Sequence, residues 1–206
     1  NPAPAILSGL VGSEMCIRDR SNCSHDENLK DASMLTTMLQ KLNNLKYPTL
    51  AVIKGAAFGG GVGLISCCDI ALASENSIFS LSEVKVGLIP ATISPYVINA
   101  IGARNARRLF TSGERFDSNI AKQINLVHEI AKEEDLEKRI SYFINHFKQN
   151  GPQAVIAAKK IVLDIFNKEI DNSVISHTCE VISALRTSKE GREGVTAFLE
   201  KRNPNW

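Results

Sequence analysis

Apolar residues recur along this chain with two periods, and the change from one to the other separates an alternating first part from an all-helical second part. Leu35, Met38, Leu39, Leu42 and Leu45 stand at helical spacing behind Ser24-x-x-Glu27. In that pattern the serine oxygen takes a backbone N–H and the glutamate reaches back, so a capped amphipathic helix is predicted, ending near Lys46 before Tyr47-Pro48. Thr49–Lys54 (TLAVIK) is β-branched and almost wholly apolar, which predicts a buried strand. Gly55–Gly61 (GAAFGGG) breaks the pattern, and Val62–Cys68 has room for two helical turns. Asp69–Ser74 (DIALAS) reads as a second strand, and Ile78–Ser82 as a third extended piece running into Glu83.

From there the period is helical. Ser94-Pro95 opens a helix that Gly102 stops near Ile101, and Arg104–Ser112 forms another, stopped by Gly113. Asp117 caps a helix over Asn119–Ile124, and Leu126–Ile130 reads as a short strand. Glu133 or Glu134 starts a long helix with Leu136, Ile140, Phe143, Ile144 and Phe147 inward. After Gly151-Pro152, helices are predicted over Ala154–Phe166, Val174–Leu185 and Gly191–Arg202. The fold class is therefore α/β with a helical extension: a core over residues 21–130 and a helical region over 131–206.

Residues 1–20 (NPAPAILSGLVGSEMCIRDR) stand apart. They have no period and no amphipathic face, and no basic stretch precedes the apolar residues as a signal peptide requires. GSEMCIRDR also resembles translated sequencing-adaptor sequence, so the segment is expected to be foreign to the fold, with a processing remnant as the alternative.

Composition narrows the function. The chain has 206 residues, 44% hydrophobic and 22% charged, with 24 basic against 22 acidic side chains. A net charge of +2 gives no electrostatic reason to expect nucleic acid or an acidic membrane as partner. No apolar run reaches the roughly 18–20 residues of a membrane span. Five cysteines, Cys16, Cys23, Cys67, Cys68 and Cys179, are odd in number and form no C-x-x-C, so reduced thiols in a cytoplasmic setting are expected. His25, His128, His146 and His177 are scattered and no H-E-x-x-H occurs, so no metal site is expected.

Two features carry chemistry. Gly59-Gly60-Gly61 follows a predicted strand and opens a helix; without Cβ atoms the backbone can approach a ligand and point N–H groups at a developing oxyanion. A tight turn with close helix–strand packing explains the same residues equally well. A dinucleotide fingerprint fails at Leu64 or Ala57, and a P-loop fails at Gly61-Val62. Glu83 sits in FSLSEVKVGLIP among apolar neighbours, where desolvation would move it towards general acid–base work. An ion pair with Lys85 is the competing reading. Asp69 reads as structural.

The run AVIKGAAFGGGVGLISCCDIALASENSIFSLSEVKVGLIPATISPYV resembles the enoyl-CoA hydratase/isomerase (crotonase) superfamily, from about Asp26 to Trp206. G-x-A-x-G-G-G, then C-D-I, then S-E-x-x-x-G-L-I-P is a long ordered signature. The resemblance implies a crotonase-like spiral of ββα turns with a helical C-terminal region that mediates homotrimers, often paired into hexamers. It implies an acyl-CoA thioester as substrate, with coenzyme A part of that substrate and no separate cofactor. It assigns an oxyanion N–H to Gly60 and the proton-handling carboxylate to Glu83. Gly59, Gly61, Gly63 and Pro90 are carried over as substrate contacts, and Phe198 and Lys201 as residues that approach a neighbour's CoA.

Two departures qualify this. The second oxyanion N–H comes in the family from an A-x-x-G-A-D-L type loop expected before Asp26; it is missing there, so the chain as it stands is expected to be impaired. Gly63 stands where two-glutamate hydratases carry their other glutamate, which leaves one carboxylate. With Ile93-Ser94-Pro95, the pattern looks nearest to bacterial methylglutaconyl-CoA or isohexenylglutaconyl-CoA hydratases, of leucine and acyclic terpene breakdown. The expected activity is hydration of a 2-enoyl-CoA, with isomerase chemistry or a non-catalytic CoA-thioester-binding subunit as alternatives.

Overall fold

The computed structural model describes residues 23–206, so the expectations for Asn1–Arg20 and for the missing loop lie outside the described residues. The described chain divides into two compact units. The first runs to Leu45 and resumes over Thr49–Leu136; the second holds Lys46–Pro48 and Glu137–Trp206.

The first unit opens with α1 (His25–Asn43), whose start is the capping box the sequence predicts. Ser24 Oγ accepts from the Glu27 N–H at 3.3 Å, and the Ser24 N–H donates to Glu27 Oε2 at 2.8 Å. Next come β1 (Leu50–Ile53), β2 (Ala56–Phe58), α2 (Gly60–Ser66), β3 (Ile70–Ser74) and β4 (Ile78–Ser80). A 3₁₀ turn over Glu83–Val86 leads to α3 (Ser94–Ser112), β5 (Arg115–Asp117), α4 (Ser118–Gln123) and β6 (Glu129–Ala131).

The strands form two three-stranded sheets, ordered β1-β3-β6 and β2-β4-β5. All pairings are parallel except β4 with β5. The first four strands alternate between the two sheets, whereas β4 and β5 are neighbours in one sheet joined by the long excursion through α3. β3 is buried along almost its whole length, as a central parallel strand covered on both faces must be. The core draws Ile53, Ala71, Ala73, Phe79 and Phe116 from the sheets and Leu39, Val62, Val97 and Leu109 from the helices. The rings of Phe79 and Phe116 stack across the β4–β5 pair, centroids 5.6 Å apart.

Several sequence expectations need correction. β2 lies inside the stretch read as a glycine-rich interruption, and β5 was not foreseen; both are too short for a period to register. The strand expected over Leu126–Ile130 begins only at Glu129. Asn125 adopts a left-handed φ of 67°, and the Leu126 N–H donates to Ala121 O at 2.8 Å, so the buried Leu126 and Val127 belong to the turn closing α4. The first unit also extends to Leu136 rather than residue 130, because β6 pairs with β3 as far as Ala131 and Leu136 is fully buried. Gly102 does break the helix, with φ 76° and ψ 155° inside α3.

The second unit takes in α5 (Leu136–Gln149, from Glu137 on), α6 (Pro152–Ile165), α7 (Asn172–Thr187) and α8 (Lys189–Leu199). On α5, Ile140, Phe143 and Phe147 are half-buried as expected, but Ile144 is 41% exposed. Glu190 at the start of α8 accepts from the Gln153 and Ala154 N–H groups at 2.9 and 2.8 Å, capping α6 with a carboxylate where the helix dipole favours one. No helix among the described residues is long and apolar enough to cross a membrane.

Candidate active site

The site is built around the β2–α2 turn. The Gly59 N–H donates to Ser80 O at 2.9 Å, continuing the β2–β4 ladder one step beyond Phe58 and Ser80. The chain then turns into α2 through Gly59 at φ 48°, ψ −113°, a conformation that suits glycine. The Val62 and Gly63 N–H groups donate to Gly59 O at 2.9 and 3.2 Å. That leaves Gly60 and Gly61, whose N–H groups are among the first donors of a helix and have no partner within it. A Cβ on Gly60 would meet nothing within 4 Å, and one on Gly61 would lie 3.7 Å from Ala57 Cβ. Of the triplet, Gly60 therefore presents its backbone to open space.

Glu83 reaches this turn from β4. Leu81 is buried at the strand end, and Glu83 begins the 3₁₀ turn, its carbonyl accepting from the Leu88 N–H at 3.0 Å. The carboxylate packs against the bare face of Gly59: a Cβ there would stand 2.8 Å from Glu83 Oε1 and 3.4 Å from Cδ. Glycine at 59 is thus required both by its backbone angle and by the carboxylate beside it. Glu83 Oε2 is buried and has no hydrogen-bond partner. Burial raises the Glu83 pKa above its ordinary value, opposed by a hydrogen bond with its own backbone. The ion pair with Lys85 does not form; the Lys85 stem lies against Gly113, its Cε 3.2 Å from where a Cβ would be.

Gly63 lies one turn further along α2 and is buried. Its missing side chain would run into Ile93, with the Ile93 Cβ 2.7 Å from the Cβ position and Cγ2 closer still. Ile93 is 2% exposed, and α2 packs on α3 at this point. The side-chain direction at 63 thus leads into packed hydrocarbon, so the substrate contact expected of Gly63 could come only through its backbone. Ile93 itself was missed by sequence reasoning; its place just before Ser94-Pro95 marks a helix start and says nothing about what lies beneath. Pro90 is buried in the link between the 3₁₀ turn and α3, where the Ala91 N–H donates to Ile89 O at 2.8 Å.

Phe198 and Lys201 stand at the end of α8 in the second unit. Phe198 is 81% exposed, and Lys201 has a left-handed φ of 53° with its N–H donating to Phe198 O at 3.2 Å. Asp69 is structural: its Oδ2 accepts from the Thr49 N–H and hydroxyl at 2.7 and 2.8 Å, bracketing the starts of β1 and β3. His128 Nδ1 accepts from the Ala71 N–H at 3.0 Å and lengthens the β3–β6 pairing. Among the described residues no group of three His, Cys, Asp or Glu side chains is arranged to hold a metal ion. A turn presenting N–H groups beside one unpartnered carboxylate can polarise a carbonyl and move a proton next to it.

Comparison with known proteins identifies the family and the fold. The sequence profile of the family described as enoyl-CoA hydratase/isomerase matches residues 11–206. An enoyl-CoA hydratase of Alternaria alternata is 41% identical over 77% of this chain and 53% of its own length. A mitochondrial Delta(3,5)-Delta(2,4)-dienoyl-CoA isomerase of Dictyostelium discoideum is 33% identical over 81% of this chain and 57% of its own length. The chain thus spans little more than half of these two relatives. The crystal structure of an enoyl-CoA hydratase from Shewanella pealeana superposes with a TM-score of 0.88 at 42% identity, over 92% of this chain and 71% of that one. The architecture is the crotonase fold with its helical C-terminal region, and the chain belongs to the enoyl-CoA hydratase/isomerase family.

Proposed function

We propose that the protein hydrates a 2-enoyl-CoA thioester, using Glu83 as its one acid–base carboxylate. The observation that carries this reading is the buried, unpartnered Glu83 Oε2 beside a turn whose Gly60 backbone faces open space. The Gly60 N–H donates to the thioester oxygen and draws electron density from the conjugated double bond. Glu83 takes a proton from water as the hydroxide oxygen bonds to C3. The electrons pass to C2 and the thioester oxygen as an enolate. The Glu83 carboxyl then returns its proton to C2, which gives the 3-hydroxyacyl thioester and restores the carboxylate. Only the enolate places full charge at the glycine turn, so the N–H contact strengthens most where it accelerates the step.

The narrower reading takes a methylglutaconyl-CoA-like acyl group, supported by the single carboxylate and the Ile93-Ser94-Pro95 sequence after the signature. It includes assembly as a homotrimer or hexamer, with Phe198 and Lys201 reaching a neighbour's CoA. The apolar residues left exposed on the helical unit, Val162, Ile170, Phe198 and Leu199 among them, support an assembled state.

Isomerisation is the second reading. A lone carboxylate can lift a proton from one carbon and return it to another, as a double-bond shift requires. Incubation with 2-enoyl and 3-enoyl thioesters separates the two: hydration gives a 3-hydroxy product that Glu83→Gln abolishes, whereas isomerisation interconverts the substrates without it. Turnover by Glu83→Gln close to the parent rate would remove Glu83 from the mechanism.

A further inference from the structure

Two glycines at the start of α2, its cap Gly59 and Gly63, have their bare sides filled by side chains from elsewhere. At Gly59 the Glu83 carboxylate fills the place of a side chain, and at Gly63, one turn on, Ile93 does the same. Gly59 caps α2 from just outside the helix, and the Gly63 N–H donates to its carbonyl at 3.2 Å, so the two bare positions are one hydrogen-bonded turn apart. The 3₁₀ turn that carries Glu83 also packs on α3, which Ile93 leads into, so the carboxylate and the isoleucine fill bare positions within the same turn of chain. Both positions are tight: Ile93 is 2% exposed, and Glu83 Oε2 is sealed from solvent without a hydrogen bond.

We infer that Ile93 is a positioning residue of this site: by filling the space over Gly63 it closes one side of the Glu83 carboxylate and leaves no room for a second acidic side chain on that face. The inference rests on the reading of Glu83 as the acid–base group. Water admitted over Gly63 would solvate the carboxylate from the side that Ile93 keeps dry. The ionised form would then be favoured, and Glu83 would act as a weaker base over a wider pH range.

Other charges do not account for the dry carboxylate. On its own turn Lys85 is turned towards Gly113. α2 carries no ionisable side chain, although Cys67 and Cys68 follow it. On α3, which packs on the turn, stand Tyr96, Arg104, Arg107 and Arg108, and Arg108 is held at the surface by Glu114 at 2.7 Å. The Glu83 shift has burial as its leading cause, with its own backbone as the opposing one.

The test is the pH dependence of hydration in the full protein carrying Ile93→Ala, with Ile93→Val as conservative variant. Ile93→Ala is expected to move the acidic limb of kcat/KM to lower pH, and Ile93→Val to keep it at the parent position. A purely structural residue would lower the plateau or the melting temperature and leave the limb in place. A folded, active Ile93→Ala with an unmoved limb overturns the inference. Should Ile93→Ala not fold, Ile93→Thr keeps the volume of valine while placing a hydroxyl by the carboxylate, and must move the limb the same way.

A second readout separates this inference from the proposed function. Infrared titration of the Glu83 carboxyl band, assigned by its loss in Glu83→Gln, needs no turnover. A band that moves in Ile93→Ala while no thioester is hydrated retains the positioning role and rejects the hydratase reading. A band at the same pH in parent and variant rejects the positioning role, whatever the activity.

Discussion

Replacing Gly63 with alanine sets two opposed effects against each other, and the structure decides between them. Within a helix, alanine is favoured over glycine by about 1 kcal/mol. Against this, the new methyl would stand 2.7 Å from Ile93 Cβ and nearer still to Cγ2. Ile93 is 2% exposed, and a β-branched side chain has few χ1 wells to escape into, so the contact has to be relieved by moving backbone. Overpacking costs typically about 1–3 kcal/mol, and a contact this short belongs near the top of that range. The net expectation is a loss of about 1–2 kcal/mol, or roughly 2–8 °C in melting temperature for a chain of this length. Gly60→Ala is the control, since its Cβ would meet nothing within 4 Å; with only the helix preference acting, it should match the parent or gain up to about 1 kcal/mol. In a double-mutant cycle with Ile93→Ala, the double variant should be at least ~1 kcal/mol more stable than the sum of the singles requires. Urea unfolding followed by far-UV circular dichroism measures all five proteins. Gly63→Ala as stable as the parent, or single effects that add to within about 0.5 kcal/mol, would show that positions 63 and 93 do not press on each other.

The remaining predictions concern other parts of the site and core. Burial raises the Glu83 pKa, so ionising it costs stability: its contribution is fully present below the ordinary carboxylate pKa and is lost as pH rises through the raised native one. Glu83→Gln should therefore flatten that fall, gaining on the parent in urea midpoint between mildly acidic and mildly alkaline buffer; an unchanged difference would refute it. Gly60→Ala should fold normally yet hydrate the thioester more slowly, because its methyl points into the space proposed for the substrate while its N–H is kept; turnover at the parent rate would refute it. Phe79→Ala removes a fully buried ring stacked on Phe116 and should cost about 3–5 kcal/mol by denaturant titration. Burial, with Cys68 adding to it, pushes the Cys67 thiol up to about 12, so iodoacetamide at mildly alkaline pH should spare Cys67 in the folded protein and label it after unfolding, as read by peptide mass spectrometry.

What the sequence revealed depended on how local the cause was. The α1 capping box, the Gly102 break, the Asp117 cap and the β3 strand all follow from residues a few positions apart, and each was readable. β2 and β5 were not, because three-residue strands owe their existence to the partners they pair with and leave no period of their own. At the site, the glycine triplet and Glu83 were visible, but what each glycine does was not. Gly59 accommodates a carboxylate, Gly60 faces open space and Gly63 yields to an isoleucine, and those neighbours lie beyond the few positions over which a local pattern shows. The choice between an ion pair to Lys85 and a dry carboxylate was likewise undecidable from neighbours in sequence, since Lys85 is drawn away by the packing at Gly113.

The anchoring of the glycine turn has a kinetic consequence. Three of its holds come from chain that follows it: Ser80 O takes the Gly59 N–H, Glu83 backs Gly59, and Ile93 backs Gly63. None of these contacts waits for β6 to join β3. Loop closure over such modest separations is fast compared with assembling distant strands. The glycine turn and its carboxylate should therefore be set early in folding, with high φ-values at Gly63 and Ile93 and low ones along β6, whose Glu129 pairs with Leu72 across a far longer stretch of chain.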